Sequence, residues 1–400
     1  MNWKPALIVI LTTSILAACA PSVPAPEAAT LGPTAEPTAI PTATGAPCLE
    51  SGDQNAINAR LQGPGAVAML CTGAVFELTG PVTITADRQE IYTEDHPTDD
   101  TRAVLRIVAP SLTTAVLMRD HNGALLSNVI VDGNRGKLGP GAGDALIYAG
   151  GYSDGQIIRG NKIMNTRSWS SLQLIEGYSE SQPCKNALVE NNEIGPAGTS
   201  ADMQWADGIS LACTTTVVRG NVITDATDGG IVVFGAPGSV IEDNTVRAMT
   251  RTLLGGINMV DSQGYGGKYT GTIVRNNIID ASGAVIRIGL GMGARVWLCL
   301  PSNSQELPLS GGTVTGNTLR GEKMQYGFAV DGVSDWTVTG NTDEARHSGS
   351  PSVDCGGVVA SAPAGFLYNP ARAQGVFQPE FVQGHLDLAL WAIAAPRPGQ

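Results

Sequence analysis

The sequence predicts an all-β fold, a single-stranded right-handed parallel β-helix (a solenoid) with a short N-terminal capping helix. Three observations predict it. A five-residue unit ending in Asn recurs in eight copies between Ile130 and Asn341. The residue before that Asn is always Gly, Asn or Asp, and the residue three before it is always Val or Ile. Fifty glycines with only 15% charged residues agree with a chain of many turns and strands.

In chain order, the N-terminus comes first. Lys4 precedes the apolar run Ala6–Leu11, and small residues lead into Leu16-Ala17-Ala18-Cys19. The run is too short to span a bilayer, so residues 1–18 read as a lipoprotein signal peptide and Cys19 as the lipidated first residue of the mature chain. Residues 19–47 are rich in Pro, Ala and Thr, a composition that cannot bury a core and stays extended as a tether. Residues 48–400 are left for the β-helix with its N-terminal cap and a C-terminal capping segment. The protein is thus expected outside the cell, anchored to the membrane by lipid.

Six further cysteines, Cys48, Cys71, Cys184, Cys213, Cys299 and Cys355, suggest three disulfides in an exported chain. Chain order favours Cys48 with Cys71, Cys184 with Cys213 and Cys299 with Cys355, among fifteen possible pairings. Neither their spacing nor that of His96, His121, His347 and His385 matches a zinc pattern, so no metal is expected. A formal net charge of -12 argues against nucleic acid as a partner and against nonspecific binding to anionic lipid.

The repeat assigns one physical task to each column. Val131, Ile158, Val189, Val218, Ile241, Val274, Val314 and Val338 place one β-branched side chain per coil in the interior. The Gly, Asn or Asp that follows enters the left-handed backbone region at least cost and bends the coil. The Asn column suits a ladder of stacked amides rather than a catalytic role. Two residues before each Asn the series Asp132, Arg159, Glu190, Arg219, Glu242, Arg275 alternates in sign. Coils stack about 4.8 Å apart, so opposite charges attract along such a column. Asn-to-Asn spacings run from 23 to 40 residues, which puts loops at fixed corners. A second strand row appears at Ala145–Tyr148, Gly208–Leu211, Gly230–Val233, Gly256–Met259 and Gly327–Val330. Upstream, Ala56, Ile57 and Leu61 behind Asp53 form a short amphipathic helix that covers the open end of the first coil. Leu386–Ala394 is the matching apolar stretch at the other end.

With its capping helix and Gly-Asn repeats, the chain resembles the pectin-lyase-like superfamily of right-handed parallel β-helix proteins over roughly Gly52 to Gly357. That resemblance implies a fold and a secreted, carbohydrate-active setting, since members include pectate and alginate lyases, polygalacturonases, phage tailspikes and non-catalytic surface proteins. It implies no catalytic residues here. The Gly-His-Gly and Arg-Ile-Lys signatures of polygalacturonases are missing, and Arg287-Ile288-Gly289 is not the latter.

Residues of the second strand row are the candidates for chemistry, because the longest insertions adjoin it. Asp207 and Asp228 stand before Gly208 and Gly229 at the same corner of adjacent coils. Two close carboxyls drive their pKa values apart, as glycoside hydrolysis requires of an acid and a base. Trp205 offers a plane for a sugar ring. Asp202, Asp225, Asn258, Asp261, Trp169, Glu176 and Tyr178 fill the same row on neighbouring coils. The rival chemistry is β-elimination on a uronic-acid glycan, with Arg251, Lys268 or Arg287 neutralising a carboxylate, Tyr265 or Tyr269 as acid, and calcium as a possible cofactor. The acidic balance of the chain ranks hydrolysis slightly above it. A monomeric surface solenoid that binds glycan or a protein partner without catalysis is the third reading.

Overall fold

The computed structural model describes residues 47–175, 184–199, 204–260, 264–297, 308–349 and 361–384. Among them the chain winds as a parallel β-solenoid, each strand pairing in parallel with its counterparts one coil before and one coil after. No helix among the described residues is long and apolar enough to cross a membrane. The expected cap is present as Gln54–Asn58, where Asp53 accepts hydrogen bonds from the Asn55 and Ala56 amides and Ile57 is buried.

Each coil has three faces. The first carries Ile157–Arg159, Leu188–Glu190, Val217–Arg219, Val240–Glu242, Ile273–Arg275 and Thr313–Thr315. A bend at the repeat Asn leads to the second face, with Lys162–Met164, Glu193–Ile194, Val222–Thr224, Thr245–Arg247 and Ile278–Asp280. The longer strands of the third face follow, among them Ala145–Gly150, Ser170–Ile175, Asp207–Leu211, Gly229–Val233, Leu253–Met259 and Ile286–Met292. The interior is apolar and continuous, since inward side chains of all three faces join one hydrophobic cluster.

The bend is where the sequence placed it. Gly160, Asn191, Gly220, Asp243, Asn276, Gly316 and Gly340 all have φ between 55° and 68°. The next residue, Asn161 through Asn341, forms the expected amide ladder. In each rung the side-chain Nδ2 donates to the Oδ1 of the Asn one coil on, as from Asn192 to Asn221 at 2.9 Å and from Asn244 to Asn277 at 3.0 Å. That same Oδ1 accepts the backbone N–H of the preceding rung, and Nδ2 also reaches the carbonyl of a core residue one coil back, as from Asn221 to Val189 at 3.0 Å. Gln378 ends the ladder by accepting from the Asn341 amide at 3.0 Å.

One register assignment is corrected. Ile130–Asn134 is not a first-face repeat, because Val131 pairs with Ile163 and Asp132 with Met164, on the second face. The first-face strand of that coil is Leu125–Ser127, its left-handed bend is Asn128 with φ 53°, and Val129 occupies the ladder position, its N–H donating to Asn161 Oδ1. Second-face strands also carry one core β-branched residue, so Val131-Asp132-Gly133-Asn134 mimics the repeat. Leu126, not Val131, therefore precedes Ile158, Val189, Val218, Ile241, Val274, Val314 and Val338 in the interior row, which runs back through Ile91 to Ala68.

The charge column accordingly starts at Arg159, with Ser127 ahead of it, and runs through Glu190, Arg219, Glu242 and Arg275. Arg219 pairs with Glu190 at 2.8 Å and Arg275 with Glu242 at 2.6 Å. Asp132 pairs instead with Arg106 at 3.1 Å. A second alternating column, Arg247, Asp280, Arg320, Glu344, stacks on the second face, with Asp280 and Arg320 2.9 Å apart.

Two of the expected disulfides are formed, Cys48–Cys71 and Cys184–Cys213. Cys299 and Cys355, like Cys19 and Leu386–Ala394, lie outside the described residues.

If the ladder sets the stacking, Asn221→Ala removes the acceptor of the Asn192 N–H and of one Asn192 Nδ2 hydrogen, and takes the Asn221 Nδ2 donor from the Val189 carbonyl, all in the buried interior. At roughly 1–3 kcal/mol for each buried group left unpaired, we expect a loss of about 3–5 kcal/mol in denaturant unfolding. Gln378→Ala, at the end of the ladder, is expected to cost clearly less.

Candidate functional site on the third face

The third face owes its local shape to glycine. A Cβ on Gly208 would meet Ile223 Cγ2 at 2.6 Å, one on Gly230 would meet Val246 Cγ1 at 2.3 Å, and one on Gly256 would meet Ile279 Cγ2 at 2.6 Å. These positions face inward against core side chains and tolerate nothing larger. The residues just before them, Asp207, Gly229 and Gly255, stand in line on successive coils. Asp207 is the one member of this line with a functional side chain.

Asp207 is only 3% exposed. Its N–H donates to the Trp169 carbonyl at 2.8 Å, and its Oδ1 accepts the Gly229 N–H at 3.3 Å. Its Oδ2 lies 2.7 Å from Ser210 Oγ, which in turn lies 2.8 Å from Ser170 Oγ. Asp228 sits on the next coil, its N–H donating to the Ala206 carbonyl at 3.0 Å, and its Oδ1 is buried with no hydrogen-bond partner among the described residues. Burial, and after it the charge of Asp228, holds the Asp207 carboxyl well above the usual carboxylate range. The Gly229 N–H opposes this, as would a Ser210 proton aimed at the carboxylate. Burial pushes Asp228 up to about 7. Neither acid has a cationic partner among the described residues.

Around the pair, further polar atoms are sealed from solvent without a partner among the described residues. Both amide atoms of the fully buried Asn258 belong to this set. That side chain lies over the glycine line, for a Cβ on Gly255 would come within 2.0 Å of its Oδ1 and one on Gly229 within 2.7 Å of its Nδ2. Arg287 stands two coils beyond Asp228, in the column that runs through Leu254 beside the glycine line; its Nε is unpaired, it has no acidic partner among the described residues, and burial lowers its pKa to about 10. Gln173 Oε1, Gln325 Oε1 and Trp205 Nε1 complete the group. Buried polar groups are ordinarily satisfied, so the unsatisfied ones gathered here mark this face as a candidate site, although Glu90 Oε2 and Ser127 Oγ on the first face are unsatisfied as well.

The tryptophans serve two different apolar patches. Trp205 packs against Leu254, Ile288, Val296 and Tyr326, and Trp169 against Ile175, Ala212 and Tyr265. Several other candidates have structural tasks. The Asp225 carboxylate, expected to bind substrate, accepts hydrogen bonds from the Met249, Thr250 and Arg251 amides and the Thr250 hydroxyl, closing a turn. Burial alone would raise its pKa, but these bonds outweigh it and the net shift is downward. The Arg251 guanidinium donates to the Gly198 carbonyl, tying down the corner before Trp205. Tyr269 is a core residue, its hydroxyl donating to the Val233 carbonyl at 2.6 Å and its ring 5.4 Å from that of Trp336. Lys268 is exposed and Tyr265 is buried. Asp202, Asp261, Glu176 and Tyr178 lie outside the described residues. Sequence reasoning missed Ser170, Ser210, Gln173 and Gln325, which occupy strand interiors with no turn residue to mark them.

A family described as right handed beta helix region matches residues 114–343, more than half of the chain. The chain belongs to that family. No curated protein matches its sequence. Among solved structures, it is similar to an alginate lyase from Paenibacillus sp. str. FPU-7, with 15% identity over 75% of this chain and 98% of that one, at a TM-score of 0.40. It is similar to the A-module of the mannuronan C-5 epimerase AlgE6 of Azotobacter vinelandii, with 15% identity over 82% and 98% of the two chains, at a TM-score of 0.41. It is also similar to the tailspike protein of E. coli bacteriophage HK620, solved with a pentasaccharide, with 12% identity over 82% of this chain and 65% of that one, at 0.47. At these identities the likeness is one of fold. The right-handed parallel β-helix expected from the sequence is borne out by the family match.

Because both acids are protonated more readily when folded than unfolded, the native state loses stability as pH rises from the ordinary carboxylate range toward 7. Below that range neither state is ionised and no penalty exists. Asp207→Asn and Asp228→Asn are therefore expected to raise Tm by a few degrees near pH 7.5, with the gain vanishing near pH 4. Thermal unfolding across that window checks it.

Proposed function

We propose that the third face binds a polysaccharide and cleaves it by glycoside hydrolysis, with Asp207 as general acid and Asp228 as general base. The observation that carries this reading is a pair of acids on adjacent coils, Asp207 buried and Asp228 half-buried, with no cationic partner among the described residues and with unsatisfied polar side chains around them. Burial of that kind destabilises the fold, and it is retained where chemistry needs a proton held near neutral pH. Asp207 delivers its proton to the bridging oxygen as the glycosidic C–O bond breaks, the electron pair passing to that oxygen. Asp228 takes a proton from the water whose oxygen bonds to the anomeric carbon. Trp205 supplies an apolar wall, and Asn258 supplies a donor and an acceptor for sugar hydroxyls. The same reading keeps the protein outside the cell, held at the membrane by lipid on Cys19.

Arg287 favours a second reading. A half-buried guanidinium with no acidic partner among the described residues suits a sugar carboxylate, so an acidic glycan is the preferred substrate class. On such a glycan Asp228 as base, with Arg287 two coils away on the same face, would also serve β-elimination.

A panel of neutral and uronate-containing polysaccharides, assayed for new reducing ends and for the ultraviolet absorbance of unsaturated uronates, separates these chemistries. Hydrolysis gives reducing ends alone. Asp207→Asn and Asp228→Asn are each expected to lower kcat by about 10²–10⁴ with little change in KM. Wild-type turnover is expected to fall as pH drops below about 7, where Asp228 takes up its proton. Binding without any product would reduce the protein to a glycan-binding surface.

A further inference from the structure

The serines behind Asp207 carry more information than their hydrogen bonds alone suggest, because their protons can be counted. Three contacts run in series: Asp207 Oδ2 to Ser210 Oγ at 2.7 Å, Ser210 Oγ to Ser170 Oγ at 2.8 Å, and Ser170 Oγ to the Leu172 carbonyl at 3.1 Å. Each hydroxyl has one proton, a carbonyl has none, and both serines are fully buried. Two protons cannot satisfy three contacts. If Asp207 were ionised, Ser210 would donate to it and Ser170 to Leu172, and the two serine oxygens would face each other at 2.8 Å with no proton between them. Were Ser170 turned toward Ser210 instead, the contact with Leu172 would lose its donor.

A third proton on Asp207 resolves the count. We propose that Ser170 and Ser210 are positioning residues that hold Asp207 as a neutral acid through a one-way chain. In it, Asp207 Oδ2–H donates to Ser210, Ser210 donates to Ser170, and Ser170 donates to Leu172. The other carboxyl oxygen fits the same state, since Oδ1 accepts the Gly229 N–H as the carbonyl oxygen of a protonated acid does. The charged group acting on Asp207 is Asp228, whose anion also disfavours a second anion beside it. This inference deepens the hydrolase reading and rests on it for its role in turnover. A glycan oxygen displaces Ser210 as acceptor of the Asp207 proton, and the freed Ser210 hydroxyl then turns to donate to the carboxylate left behind.

The chain inverts the usual sign of a serine substitution. A hydroxyl that donates to a carboxylate stabilises the anion, so removing it raises the carboxyl pKa; one that accepts from the acid stabilises the neutral form, so removing it lowers the pKa. The test is a titration of full-length protein labelled with ¹³C at aspartate carboxyls, with the Asp207 signal assigned by its loss in Asp207→Asn. We expect Ser210→Ala to lower the Asp207 midpoint by about one pH unit or more, and Ser210→Thr, which keeps the hydroxyl, to restore it. We expect Ser170→Ala, which frees Ser210 to donate to the carboxylate, to lower it as well. An unchanged or raised midpoint in Ser210→Ala overturns the proposal. If that variant does not fold, an unchanged or raised midpoint in Ser170→Ala does the same. The titration needs no glycan, so its failure is distinct from a failure to find hydrolysis on the polysaccharide panel.

Discussion

The structure depends on the stacking register of its coils, and the asparagine ladder is the interaction that fixes it. Hydrophobic burial drives the coils together but tolerates slippage, because each face offers the next a similar row of β-branched side chains. The ladder does not tolerate it. Every rung from Asn161 to Asn341 binds the amide of the next coil and a core carbonyl of the preceding one. A slip of one residue would leave several buried polar groups unpaired in each coil, at a cost that grows with the number of coils. The left-handed residue before each rung aims the side chain inward, so one backbone bend and one amide are copied along the solenoid. The charge columns outside follow that register and add little by themselves, since exposed pairs are worth under about 1 kcal/mol each.

Fixed stacking is what turns two aspartates 21 residues apart into an acid pair. Asp207 precedes the core-facing Gly208 and stands in line with Gly229, and the register places Asp228, the residue before Gly229, one coil on. The third face then departs from the economy of the other two. Where the first and second faces pair arginine with glutamate or aspartate, the third holds a buried and a half-buried acid with no cationic partner among the described residues, and Asn258 and Arg287 Nε are unsatisfied among them. Stability lost at this face and gained along the ladder is the pattern expected when a rigid scaffold carries a site.

The fold was legible because each column makes a demand that few residues can meet. Only Gly, Asn or Asp bends cheaply into the left-handed region, and only a β-branched residue fills the row behind it. The first coil was misread since Val131-Asp132-Gly133-Asn134 satisfies the same local pattern on a different face, and only pairing with Ile163 reveals it. Asp207 and Asp228 could be found from sequence as turn aspartates in matching corners. Asp225 fits the same description yet spends its carboxylate on Thr250, a difference set by which way the side chain turns. Ser170, Ser210, Gln173 and Gln325 stand in ordinary strand positions, so their meaning lies in what the coils on either side bring beside them.

The central claim is that the unsatisfied third face is built for a sugar. The most direct measurement is a crystal structure of the Asp228→Asn protein soaked with an acidic oligosaccharide. The account requires a ring against Trp205, a bridging oxygen within hydrogen-bond distance of the Asp207 carboxyl, and a carboxylate on Arg287. Sugar bound on the first or second face, or a third face that stays closed to the oligosaccharide, would contradict it.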